Sequence, residues 1–126
     1  MENFKIFQID LGPIHKEINR LGHEGAAEAY PQYRAYLESG SVGDGYIPEY
    51  AIHFSHVADC EAEDRDDCFH IMNFVNRAAD KRVNLHSTRV HSLSVGDVIV
   101  GEDGIPYMVG SGGFDKIEFS PAQAAQ

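Results

Sequence analysis

Short apolar segments, separated by glycine, proline and acidic residues, restrict the possible folds of this chain more than any other feature. The longest apolar run, around Val98–Val100, is far shorter than the roughly 20 residues that a membrane-spanning helix needs. The chain has 126 residues, which is enough to bury one hydrophobic core. We therefore expect a folded domain of short strands and short helices that does not insert into a membrane.

The N-terminal segment predicts a strand followed by a short helix. Apolar residues dominate Asn3–Leu11, which suits a strand that is buried on at least one face. Proline at the first helical position and glycine just past the end are typical helix boundaries. Pro13 and Gly22 therefore delimit the first predicted helix.

A second helical stretch is predicted over Glu24–Ser39. It is kinked or restarted at Pro31, because proline lacks the amide hydrogen that a helix interior needs. Three tyrosines at three-residue spacing mark its buried or interface side: Tyr30, Tyr33 and Tyr36. Exposed tyrosines would permit a homodimer without requiring one.

A loop, a second strand and a third helix are predicted next. The glycine-rich stretch Gly40–Gly45 predicts a mobile loop, and Tyr46–Val57 then alternates apolar and polar residues as a strand does. Asp64 can cap a helix that begins after it. The apolar face of that helix has the spacing i, i+3, i+4 and i+7: Cys68, Ile71, Met72 and Val75.

Apolar residues between Leu93 and Phe119 form three short strand-like runs, with a hairpin turn at Glu102–Gly104 between two of them. Because the strands do not alternate regularly with helices, the pattern predicts an α+β fold. We expect a mostly antiparallel sheet with two to three short helices in a single domain, residues 1–119. Residues 120–126 are small or polar and are expected to form a flexible C-terminal tail.

Several of these segments resemble a known family. The stretches His91–Ile99, Tyr107–Val109 and Gly113–Ile117 resemble the C-terminal signature of YodL-like domains, and Phe4–Ile9 is similar to the first strand of that family. The resemblance implies an accessory protein of a bacterial mobile element or phage, of a kind often found near antirestriction genes. It carries over no catalytic residues.

The same residues also have an architectural explanation, because turn residues followed by β-branched residues suffice to start a strand. Gly96 and Asp97 would make the turn, and Val98–Val100 would enter the strand. Gly96 stands where the family usually has serine, and Gly110–Gly113 replaces an acidic residue followed by a small one.

The chain is acidic: 20 Asp and Glu residues oppose 10 Lys and Arg residues, and the formal net charge is −10. Direct binding to nucleic acid is not expected, because that affinity depends on clustered Lys and Arg. A protein with a basic surface is a more suitable partner. The N-terminus has no secretory-signal pattern, so we expect a cytoplasmic protein with reduced thiols.

Half of the net charge, −5, lies in residues 59–67, where six acids accompany Arg65. The six acids are Asp59, Glu61, Glu63, Asp64, Asp66 and Asp67. Such a segment could dock on a Lys/Arg-rich groove that normally holds DNA or RNA, in the manner of an anti-restriction or anti-CRISPR inhibitor. Alternatively, acids at a helix start complement the helix dipole and keep the surface soluble.

A zinc-binding structural module is the alternative function. Five residues with suitable ligand atoms lie close together in the sequence: His53, His56, Cys60, Cys68 and His70. Their spacing matches no standard zinc finger, and His53 and His56 would point to opposite faces of a strand because their separation is odd. Cys68 also falls on the apolar helix face, where a free thiol is ordinary packing.

No arrangement of residues typical of an active site is present. Gly110–Gly113 lacks the Lys-Ser/Thr pair of a phosphate-binding loop and is interpreted as a flexible turn or a bulge. The leading hypothesis is therefore a non-enzymatic, protein-binding accessory protein without a cofactor, whose acidic segment meets a basic surface.

Overall fold

A six-stranded sheet with helices on both faces organises the chain, which a computed structural model describes over residues 1–40 and 45–121. Within these residues the strands are β1 (Glu2–Gln8), β2 (Ser55–Ala62), β3 (Val83–Leu85), β4 (Val98–Val100), β5 (Pro106–Gly110) and β6 (Gly113–Lys116). The α-helices are α1 (His15–Ala29), α2 (Pro31–Gly40) and α3 (Arg65–Phe74), and 3-10 turns occupy Gly12–Ile14 and Pro48–His53. The predicted α+β class is confirmed.

Strand β1 lies inside the sheet, whose strand order is β3-β2-β1-β4-β5-β6. It pairs with β2 on one side, where Phe4 lies opposite Cys60, and with β4 on the other, where Ile6 lies opposite Ile99. Every neighbouring pair of strands is antiparallel. The predicted antiparallel sheet is therefore confirmed.

The sheet separates two hydrophobic cores, and β1 contributes to both because successive side chains of a strand point to opposite faces. Phe4 and Ile6 face α3, and Phe7 and Ile9 face α2. The core under α3 includes Cys60, Cys68, Ile71, Met72, Leu93, Ile99 and Val109. The core under α2 includes Ala35, Ala51, Phe54, Val98, Val100, Met108 and Phe119.

The helix breaks predicted at glycine and proline are confirmed. Gly22 has non-helical angles (φ 74°, ψ 176°) and interrupts α1, and the chain restarts as α2 at Pro31. Of the predicted tyrosine stripe, only Tyr33 is buried: Tyr30 is partly buried and Tyr36 is 41% exposed. Tyr33 packs with Ile14 and Ala26 in a small apolar cluster between α1 and α2.

The strand predicted over Tyr46–Val57 is wrong for most of its length. Pro48 begins a 3-10 turn that runs to His53, and β2 begins only at Ser55. Ala51 and Phe54, three residues apart, are fully buried, which fits the three-residue repeat of a 3-10 turn. An alternating pattern that begins at a proline can therefore also come from a turn.

Strand β3 was not predicted, because Val83–Leu85 is short and only partly buried at the sheet edge.

Most of the loop predicted at Gly40–Gly45, namely residues 41–44, lies outside the described residues, as do residues 122–126 of the predicted tail. In the described ranges, no helix has the length and apolar character to cross a membrane.

The predicted hairpin at Glu102–Gly104 is confirmed: it joins β4 to β5, and the Gly104 amide donates to the Gly101 carbonyl at 3.0 Å. Gly110 and Gly113 pair across a second hairpin, between β5 and β6. The glycine-rich stretch is therefore a turn, as interpreted from the sequence.

Gly96 holds the C-terminal end of α2 against the sheet. Its φ angle is +98°, and a Cβ atom there would lie 3.0 Å from the Gly40 nitrogen and 3.1 Å from the Ser39 carbonyl carbon and oxygen. Side chains rarely adopt this backbone conformation, and the neighbouring atoms are backbone that cannot rotate away. Any side chain at this position would therefore be strained in this structure.

We expect Gly96→Ala to lower the free energy of unfolding by at least about 2 kcal/mol, from the positive φ and the close backbone contact together. Urea denaturation measures the loss. Gly112→Ala is the matched control, because no atom lies within 4 Å of its Cβ position. Equal stability of the two variants would contradict the packing argument.

Candidate functional site

The structure divides the predicted acidic segment between strand β2, a connection and helix α3. Three of its six acids hold local structure. Asp64 accepts a hydrogen bond from the Asp67 amide at 2.8 Å and so caps α3, and Asp67 accepts one from the Glu63 amide at 3.0 Å. Asp59 accepts from His56 and His86. The predicted helix cap is confirmed.

The other three acids, Glu61, Glu63 and Asp66, are exposed. The fold adds acids from two further segments, because β1 begins beside the end of β2 and β4 ends on the other side of β1, towards its start. Glu2 pairs with Ala62, and the Glu102 carboxylate accepts from the Asn3 amide at 2.7 Å. We call the acids at this end of the sheet the acidic surface: Glu2, Glu61, Glu63, Asp64, Asp66, Asp67, Glu102 and Asp103. Glu61 lies between the core residues Cys60 and Ala62 and therefore points away from α3.

No basic side chain is ion-paired with the acidic surface in the described part of the chain. Two arginines lie close to this segment. The Arg65 guanidinium lies over the Tyr107 ring, 3.8 Å from its centre, and Arg82 pairs with Asp80 at 2.7 Å while interacting electrostatically with Asp67. The surface therefore keeps a net negative charge, which these two cations partly offset.

The five residues of the predicted zinc module are not brought into one group. Cys60 and Cys68 lie in the core under α3, whereas His56 stacks on Phe7, on the other side of the sheet. His53 belongs to the 3-10 turn before β2, and His70 is exposed on α3. The sheet thus separates the thiols from the His56 imidazole.

Cys60 and Cys68 form a buried pair of free thiols between β2 and α3. The contact with the Cys60 thiol and burial raise the pKa of Cys68. The same contact lowers the pKa of Cys60. Both thiols are fully buried in the core under α3, so packing is the role that the geometry supports for this pair.

Asp59 is held between two imidazoles. The Nε2 atoms of His56 and His86 donate to its two carboxylate oxygens at 2.8 and 2.6 Å. Burial opposes ionisation of this carboxyl, but the bonds from His86 and His56 outweigh it, so the pKa of Asp59 lies below its usual value. The sequence did not predict a role for His86, because no local pattern relates it to Asp59, which lies 27 residues earlier.

A second polar group was also missed. The buried Gln8 side chain donates to the Asp97 carboxylate at 3.1 Å and to the His91 carbonyl at 2.9 Å. Asp97 also accepts from the Ser94 amide at 3.0 Å, and its carboxylate lies 3.8 Å from the His91 Nδ1 atom. The residues of the predicted turn at Gly96 and Asp97 therefore also tie the segment before β4 to the end of β1.

An open cleft of about 360 Å³ lies next to this network. Its polar lining includes Asp10, His15, Arg89 and His91, and Arg89 pairs with Asp10 at 3.2 Å. Tyr36, from the predicted tyrosine stripe, also lines it. The ion pair within the lining partly neutralises its charge.

Asp64→Ala should lower the free energy of unfolding by about 1 kcal/mol, because α3 loses the side chain that caps its first turn. Asp64→Asn should recover most of this loss, since an amide oxygen can accept the same bond. Urea denaturation measures the free energy of unfolding of both variants. If Asp64→Asn lowers it as much as Asp64→Ala does, the negative charge of Asp64, and not its capping hydrogen bond, stabilises the helix.

Burial raises the pKa of Asp97 to about 6 from its usual 3.8, despite the opposing charge of His91. The folded state therefore binds more protons than the unfolded state between these values, and this contribution to stability falls as pH rises from about 4 to 6. Its full size is on the order of 3 kcal/mol.

Asp97→Asn should abolish that dependence. Both bonds are accepted by one oxygen, Oδ2, which the amide oxygen can replace. Unfolding free energies of wild type and variant, measured by urea denaturation from pH 4 to 7, should differ by a pH-dependent amount. A constant difference would show that Asp97 titrates alike in both states.

Comparison of the chain with protein-family models, with curated proteins and with solved structures found no match. The resemblance to YodL-like domains stays a prediction that rests on the residues quoted for it.

Proposed function

We propose that this chain is a non-enzymatic accessory protein that binds a partner protein through the acidic surface. The observation that carries the proposal is the convergence of acids from β1, from the β2–α3 connection and from the β4–β5 hairpin, without ion pairs to basic side chains among the described residues. Clustered charge of one sign steers a partner of opposite charge and sets its orientation.

The partner has a Lys/Arg-rich surface of the kind that binds nucleic-acid phosphates. Carboxylates spaced along a rigid sheet end and a helix start occupy such a groove in place of phosphates. In a phage or mobile element, as the YodL-like resemblance implies, this capture blocks a host nuclease of a restriction or CRISPR system. Three acids, Asp59, Asp64 and Asp67, also have structural roles, so Glu61, Glu63 and Asp66 are the residues to change.

Binding to an immobilised arginine-rich peptide, measured by surface plasmon resonance at low and high salt, tests the site. The triple variant Glu61→Lys, Glu63→Lys, Asp66→Lys should bind about tenfold more weakly and with less salt dependence, because the local attraction is removed. Its circular dichroism spectrum should stay that of wild type, since all three side chains are exposed.

The matched control reverses three exposed acids elsewhere: Glu24, Glu28 and Glu49. Both variants change the formal net charge from −10 to −4, because each swap replaces −1 by +1. Equal loss of binding in the two variants would mean that overall charge, and not the acidic surface, determines the affinity.

The host-defence part of the proposal has a separate test. Cells with a restriction or CRISPR system that express the chain should allow higher phage or plasmid survival than cells without it. The triple variant should lose the effect and the control variant should keep it. Unchanged survival with wild type across such systems would remove host defence from the proposal while leaving the peptide-binding result standing.

A further inference from the structure

His56, Asp59 and His86 place three metal-ligating atoms together at the β2–β3 edge of the sheet. One imidazole or carboxylate atom from each lies within 4.8 Å of the other two. The three side chains are 19–35% exposed, so the group is reachable from solvent while its carboxylate is partly shielded. None of these residues belongs to the acidic surface, so metal binding by this group does not depend on the proposed function.

A β-bulge in β2 makes the group possible. In a regular strand, residues three apart such as His56 and Asp59 point to opposite faces. The pairing with β1 shifts here: Phe7 lies opposite His56 and Ile6 lies opposite Ala58, so Val57 is an extra residue in β2. The extra residue resets the alternation. His56 and Asp59 consequently share one face.

Contacts that do not involve Asp59 orient both imidazoles. The His56 ring stacks on Phe7, with centroids 5.1 Å apart and an interplanar angle of 29°. The His86 amide donates to the carbonyl of Val57, the bulge residue, at 2.8 Å, which brings the chain after β3 to this point. The two rings meet edge to face at 4.7 Å. The ligand atoms are therefore positioned by the fold before any ion arrives.

We propose that His56, Asp59 and His86 bind one divalent transition-metal ion, with Zn²⁺ as the ion that suits the donor set. Imidazole nitrogen and carboxylate oxygen are both zinc ligands, and three protein ligands leave a coordination position for water. Each imidazole binds the ion through Nε2 as the neutral tautomer that carries its hydrogen on Nδ1, so the Nε2 hydrogens that now bond to Asp59 are exchanged away through solvent. The negative charge of the Asp59 carboxylate attracts the ion.

This site differs from the zinc module predicted from the sequence. It shares only His56 with that set, uses no thiol, and adds a histidine from beyond α3. His53 and His70, which belong to the earlier set, belong to no group of three or more such ligands in the described ranges. They therefore serve as matched controls.

Titration of the chelator-treated chain with ZnCl₂ by isothermal calorimetry tests the proposal. Wild type should bind one equivalent with a dissociation constant of about 1 µM or tighter. His86→Ala should weaken binding at least about tenfold, and it should fold, because His86 lies after the edge strand β3 and is partly exposed. Asp59→Asn, which keeps the side-chain shape, should weaken it similarly. His70→Ala and His53→Ala should bind as wild type does.

Histidine ring resonances give an independent reading. On addition of ZnCl₂, those of His56 and His86 should move together and those of His53 and His70 should stay. The proposal is overturned if wild type binds no zinc, if His86→Ala binds as tightly as wild type, or if the resonances that move belong to other histidines.

Discussion

The pairing of β1 on both of its sides is the constraint on which the rest of the structure depends. Its residues 2–8 pair with β2 and residues 5–7 pair with β4, strands that begin at Ser55 and Val98. Its apolar side chains point into two separate cores, so α3 is attached to one face and α2 to the other. The buried Gln8 side chain ends the strand by bonding to His91 and Asp97, 83 and 89 residues later. A buried polar side chain without hydrogen-bond partners lowers the stability of the folded state. The Gln8 bonds therefore favour the one register of β1 in which His91 and Asp97 lie beside it.

The two proposed sites follow from the two ends of the β1–β2 ladder. At one end, Glu2 and Ala62 pair and the acidic connection to α3 meets the β4–β5 hairpin. At the other end, the bulge at Val57 rotates His56 onto the face of Asp59. The acids therefore do not form one functional unit: Asp59 serves the imidazole group, Asp64 caps a helix, and Glu61 remains exposed. A charge count along the sequence treats these three carboxylates as equal, although their partners differ.

Much of the fold could be predicted because it depends on neighbours in the sequence. Helix α3 has the predicted capping aspartate, and Cys68, Ile71 and Met72 of its predicted apolar face are buried, whereas Val75 lies just past the helix end. The breaks at Gly22 and Pro31 are backbone effects of single residues. The strand predicted over Tyr46–Val57 was wrong because two patterns bury Phe54 equally well: the alternation of a strand and the three-residue repeat of a 3-10 turn. Strand β3 was not predicted because it has only three residues and lies at the sheet edge. Its hydrogen bonds to β2 form it, and these leave no pattern of apolar residues in the sequence.

By itself the sequence determined the class of fold, the cap and most of the apolar face of α3, the hairpin at Glu102–Gly104 and the concentration of acid in residues 59–67. These depend on spacing over a few residues, where chain geometry alone decides which side chains meet. Only the tertiary structure decided that Glu102 lies beside Asn3, 99 residues earlier, and that His86 reaches Asp59 across 27 residues. These contacts between distant residues depend on the order of the strands, on their pairing register and on a single extra residue in β2. A one-residue shift in pairing would turn each of these side chains to the opposite face, and no local pattern records which register wins.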